Sequence, residues 1–277
     1  DSFVRAEGAE AFRKAALEER DQANLERTKA AYADLLKTKN DLFWGEDGVV
    51  SRRGLNAKEA PDVYLPKLKE AADIIEGGLA NDDQKRMFRQ MRMQEEGEFR
   101  SSVDRHVAQE YDRWQGENHK ITTTALAQDA VKNHAVAPWK VGQNLALIAD
   151  NARAEAQRLG LGPDGEKALV AEWTTKVHAG VVESMLDNGD DMAAEAYFKK
   201  HRGELLPEVE GQLAKAVDVS SLRGQSQRLV DRIVAKYPSP DQMQSAREEL
   251  AKAAGDNAKL RDAGDERLVR EYGLRDR

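Results

Sequence analysis

The 277 residues contain no cysteine. Disulfides and thiolate nucleophiles are therefore excluded, and the commonest zinc ligand is removed. Aromatic residues make up 6% of the chain and hydrophobic residues 40%, while 34% are charged. So little apolar material among so much charge argues for helices with narrow apolar stripes rather than one thick core. No apolar run approaches the ~18 residues that a membrane-spanning helix needs. No secretory leader is visible in the opening "DSFVRAEG". That opening has no Met, and the end, "RLVREYGLRDR", still reads as helix, so a processed product or a piece of a longer polypeptide is expected. A strong excess of one charge sign is also missing. Lys+Arg number 43 and Asp+Glu 50, a net charge of −7, which argues against nonspecific duplex DNA binding. The basic run "QKRMFRQMR" is followed at once by "QEEGE" and reads as a solvated helix face.

What the chain does have is helical spacing, and no segment alternates over the length of a strand. Residues 2–39 carry a thin stripe of Phe12, Ala16, Leu25, Tyr32, Leu35 and Leu36. A helix with so thin a stripe needs a partner. The Gly- and Pro-rich stretch from Phe43 to Pro66 breaks the pattern. A short helix is predicted over 66–76. Asn81 or Asp82 then caps a long helix reaching about residue 132, frayed around "QGENHK". Pro138 opens another helix, and "LGLGPDG" ends it, with Asp164 as the cap of the next. Further helices are predicted over 191–201, over 207–217, from about 221 through Tyr237, and from Pro240 to 254, with a last one or two turns after that. The expected fold is all-α, an elongated array of antiparallel helical hairpins that is partly like tetratricopeptide (TPR) repeats. Three segments are expected: 1–42 as a long amphipathic helix, 43–135 as a loop with a long helix, and 136–277 as a helical-hairpin domain.

Residues 178–208, "HAGVVESMLDNGDDMAAEAYFKKHRGELLPE", hold the most tempting chemistry. Glu183-Ser184 is the dipeptide that opens the catalytic motif of lytic transglycosylases, but nothing after it continues that motif. The stretch reads instead as the elbow of a hairpin. Gly189 closes one helix, Asp190 caps the next, and Lys199, Lys200 and His201 lie at the end where cations are favoured. Pro207 then starts the following helix. Of His106, His119, His134, His178 and His201, no two lie four apart, and there is no HExxH. A metal site would need distant residues to converge, so none is expected. "DNGDD" and "GDNAKLRDAGD" lack the alternating oxygen ligands of a calcium loop. "GLGPDGEK" lacks the ending of a P-loop, and no Gly-x-Ser-x-Gly elbow exists. No catalytic residue, cofactor or small-molecule ligand is expected. Phe43 and Trp44, in a glycine-flanked break, and Trp139, after Pro138, are the candidate subunit contacts, because interfaces favour such anchors.

One pattern resembles a known family. "FWGEDGVVSRRGLNAKEA" and then "LKEAADIIEGGLANDDQKRMF" are similar to a stretch of tailed-bacteriophage virion proteins. Those proteins carry an aromatic-rich break, a helix and a closing signature, matched here by Gly78, Leu79, Asn81, Asp82, Gln84, Lys85, Arg86 and Phe88. The hairpin over 181–208 looks like their helical repeats, and also like a degenerate TPR hairpin. The resemblance covers roughly residues 40–272 and rests on capping and packing residues. It implies an internal virion or ejection protein, assembled in multiple copies in the capsid interior or tail and helping genome delivery across the host envelope. The implied partners are copies of itself and portal, tail or other ejection proteins, with contacts to genomic DNA and, after ejection, to the host envelope or periplasm. Some relatives of that kind carry a peptidoglycan-cleaving domain elsewhere; the present segment is expected to be non-enzymatic. A helical-repeat adaptor that binds a peptide or protein is the alternative expectation.

Overall fold

Stretches free of Pro, and with glycines only singly spaced, become long helices. A computed structural model describes residues 2–275, with side chains from residue 8 onward. The chain is all-α, and no strand occurs among the described residues. Its helices are α1 (Ser2–Trp44), α2 (Ala60–Gly77), α3 (Asp82–Asn133), α4 (Trp139–Arg158), α5 (Pro163–Asp187), α6 (Asp191–His201), α7 (Pro207–Lys236), α8 (Met243–Ala254) and α9 (Ala258–Arg275). Short 3-10 turns lie at Val49–Ser51, Gly54–Glu59, Arg202–Glu204 and Pro240–Gln242. No described helix is long and apolar enough to cross a membrane.

Contacts divide the chain into two units, Asp1–Asn118 and His119–Arg277, with the division inside α3. This differs from the three segments expected, whose outermost residues 1, 276 and 277 lie outside the described residues. Packing explains the difference. The break after α1 is no boundary, because Val49 and Phe43 join the same core as Phe99 and Val103 of α3. The break near residue 135 is none either. Asn144 of α4 donates to the Leu126 carbonyl and to Asp129 of α3, at 3.0 and 2.9 Å.

In the first unit α1 supplies Ala31 and Leu35, α2 supplies Tyr64, Leu68 and Ala72, and α3 supplies Phe88, Phe99 and Val103. The stripe of α1 is shorter than expected. Phe12 is 76% exposed, Ala16 is exposed too, and contact begins only at Asn24, Thr28, Ala31 and Leu35. α2 starts six residues earlier than predicted and carries Pro66 inside it. α3 is unbroken through "QGENHK", because the lone Gly116 costs a helix interior only about 1 kcal/mol.

In the second unit the apolar residues form three successive clusters. Ala130, Val141, Ile148, Val177 and Val181 join α3, α4 and α5. Ala179, Val182, Ala194, Phe198, Leu213 and Val217 join α5, α6 and α7. Leu229, Ile233, Leu250, Leu268 and Tyr272 join α7, α8 and α9. The two helices expected over 207–237 are one, α7. "VDVSS" lowers helix propensity but contains no Pro, and Val217 and Ser221 are buried on one face four residues apart. Gly264 of α9 allows close approach to α8, since an added Cβ would lie 2.6 Å from a Leu250 methyl.

Candidate functional site

Gly189 closes α5 as its position predicts. Gly189 takes φ +78°, a left-handed conformation. The Asp190 N–H donates to the Met185 carbonyl and the Gly189 N–H to the Leu186 carbonyl, at 2.9 and 3.0 Å. These are the two bonds of a Schellman closure. Asp190 occupies the N-cap of α6, but its side chain makes no cap hydrogen bond there. Asp191 pairs instead with Arg228 of α7 at 3.2 Å. Pro207 stands at the start of α7, and the Leu206 N–H donates to the Thr175 hydroxyl of α5 at 2.9 Å. That last bond holds the turn after α6 against α5. Glu183 lies on the exposed face of α5.

The elbow folds together groups that lie far apart in sequence. His178, 1% exposed, projects from the inward face of α5 beside Val177, Val181 and Val182. On α6, Tyr197 and His201 share a face one turn apart, and Glu204 follows in the 3-10 turn. The Tyr197 hydroxyl lies 2.8 Å from His178 Nδ1. Glu204 bridges both imidazoles, Oε2 to His178 Nε2 at 3.3 Å and Oε1 to His201 Nδ1 at 2.8 Å. The two rings stack with centroids 4.2 Å apart.

The electrostatics follow from burial. Desolvation, and then the neighbouring His201 charge, lower the His178 pKa below its ordinary value against the opposing pull of Glu204. Burial and the Glu204 charge push the Tyr197 hydroxyl up to about 12. Burial alone would raise Glu204, but the His201 hydrogen bond and the charges of both histidines hold it below the ordinary carboxylate value. His178, His201 and Glu204 each offer one donor atom, and these lie within 4.8 Å of one another. Among the described residues they are the group of this kind that the fold assembles.

The sequence reading expected no such convergence, and spacing alone hides it. The available signal was the helix face: His178 sits on the apolar stripe with Val181, Val182 and Met185, and His201 on the stripe with Ala194, Tyr197 and Phe198. The other histidines bond to neutral partners. His106 Nε2 lies 2.8 Å from the Arg52 carbonyl, His119 Nδ1 2.5 Å from the Asn151 amide oxygen, and His134 Nδ1 2.7 Å from the Val131 carbonyl.

The aromatic candidates separate. Phe43 is half-buried, edge-on to Phe99 at 6.2 Å and to Trp44 at 4.8 Å, so it closes the core of the first unit. Trp44 ends α1 and Trp139 begins α4, so neither lies in the loop expected for it; each is 68% exposed. A groove of about 570 Å³ between α2 and α3 is lined by Pro61, Leu65, Pro66, Phe99 and Arg100 among others. It brings together no cluster of reactive groups. No family model, curated protein or solved structure matches this chain.

Proposed function

We propose that this chain is a structural virion protein of the internal or ejection type, assembling in multiple copies and helping to deliver a genome across a host envelope. The resemblance carried by residues 78–88 supports the family. The observation that carries the assembly reading is the first part of α1, where residues 8–23 are exposed without a break. Sixteen residues of α-helix extend about 24 Å. A highly charged helix of that length is marginal in water without packing, so it needs a partner from outside the described residues. Its charges suit a second copy. The stretch carries both signs, Glu10, Arg13, Lys14, Glu18, Glu19, Arg20 and Asp21, so a second copy of the same helix would not be repelled by a single-sign field. Trp44 and Trp139 are further exposed anchors of the type that interfaces favour.

The direct test is mass spectrometry of purified particles from the source lysate, with copy number from labelled peptide standards. Peptides of this chain at several copies per particle are the expected result. Their absence from particles ends the virion reading and leaves a helical adaptor as the better account.

A further inference from the structure

We propose that His178, His201 and Glu204 form a binding site for a divalent transition-metal ion of the zinc type, which clamps the end of α6 and its following turn onto α5. The inference is independent of the assembly reading and concerns chemistry that structural packing does not require.

The donor set comes first. Two imidazoles and a carboxylate are a ligand set that zinc accepts, with a water in the fourth position. A hard cation such as Mg²⁺ or Ca²⁺ prefers all-oxygen ligands and is a poor match. The spacing comes second. Tetrahedral bonds of about 2.0–2.1 Å set neighbouring ligand atoms about 3.3 Å apart. His178 Nε2 and Glu204 Oε2 stand 3.3 Å apart. His201 Nδ1 lies on the other carboxylate oxygen at 2.8 Å. A proton occupies these contacts when no cation does. Its replacement by a metal needs His201, whose side chain is partly exposed, to turn out of the ring stack while the buried His178 stays fixed.

Support around the ligands comes third. A metal-bound imidazole normally directs its second nitrogen at an acceptor that fixes tautomer and ring angle. Tyr197 stands in that place, 2.8 Å from His178 Nδ1. With the Nδ1–H donating to the tyrosine oxygen, the Nε2 lone pair points at the shared site. The approach comes fourth. The Glu204 side chain is half exposed, which leaves a route from solvent. Arg202, two residues before Glu204 in the chain, is paired with Glu210 at 2.5 Å.

The test uses the full chain without a histidine tag, stripped with a chelator. Zinc chloride is titrated by calorimetry, and cobalt chloride is followed in the visible range. One zinc per chain, a higher Tm with zinc, and the intense visible bands of tetrahedral cobalt are expected. Glu204→Gln and His201→Ala alter partly exposed groups, and far-UV circular dichroism confirms that each folds; both abolish the cobalt bands and the rise in Tm. Tyr197→Phe weakens zinc binding by about 10- to 100-fold. Absence of binding overturns the proposal. So does binding that Glu204→Gln and His201→Ala leave unchanged, since the metal then sits on surface carboxylates.

Discussion

Glu95 is a buried, charge-paired carboxylate of the first unit. It lies on α3, is 4% exposed, and accepts hydrogen bonds from Lys39 and, at 2.5 Å, from the Tyr32 hydroxyl, both on α1. Burial alone would raise its pKa, but these two partners outweigh burial and hold the carboxyl below its ordinary value of 4.5. A carboxyl whose folded pKa is depressed binds its proton more readily in the unfolded chain. Its contribution to stability is therefore complete above pH 4.5 and is lost as pH falls through the lower folded value. Glu95→Gln leaves Lys39 with a weaker partner and should cost about 2–3 kcal/mol at pH 7. Urea midpoints at pH 7 and pH 3.5 check this. The parent's advantage over the variant should be smaller at the lower pH, and an equal difference at both would refute the assignment. Nothing in "MQEEGE" distinguishes Glu95 from its neighbours, because its role depends on the register of α1 against α3. The His178 cluster was hidden for the same reason. Asn81 and Gly189 were readable because a cap and a left-handed turn act within a few residues of themselves.

At the scale of elements, the start of α3 is fixed by a buried amide network. Asn81 Oδ1 accepts the Gln84 N–H at 2.9 Å, which is an N-cap. Gln84 Oε1 in turn accepts the Ala80 N–H at 3.0 Å. Both side chains also donate to Asn24 Oδ1 of α1, at 2.9 and 3.0 Å. Asn24 is thus where α1 first meets the core, immediately after its exposed part ends. Asn24→Ala strands two donors and should destabilise the chain by about 2 kcal/mol. Asn24→Asp keeps the oxygen that accepts both hydrogen bonds and should cost less. Thermal unfolding of the two variants orders them, and an alanine variant as stable as the parent would show that water replaces the network. The helix order was readable because Gly and Pro punctuate it and apolar residues recur every three or four positions. The joins were less readable. "VDVSS" imitates a break, yet α7 runs through it because tertiary burial of Val217 and Ser221 overrides weak propensity. Beyond the α5–α6 hairpin, which helix meets which was not readable, since one narrow stripe of Ala and Val looks like another.

For the molecule as a whole, the exposed part of α1 is where the proposed assembly can be tested. Phe12 and Leu17 are 76% and 51% exposed on a stretch, residues 8–23, that is exposed throughout. They contribute little to the fold of one chain, and substitutions of that kind usually change stability by less than about 0.5 kcal/mol. They matter more to an assembly, where burying such side chains is worth roughly 1.5–3 kcal/mol each. Phe12→Asp with Leu17→Asp should therefore leave the Tm of the dilute chain unchanged while weakening self-association by at least about tenfold, which is ~1.4 kcal/mol. Sedimentation velocity across a concentration series measures both species. Association that survives the double change would move the contact to Trp44 or Trp139, and Trp44→Ser and Trp139→Ser made separately would then say which. A chain that stays monomeric at high concentration even before substitution would remove self-assembly, and α1 would have to find its partner in a different protein.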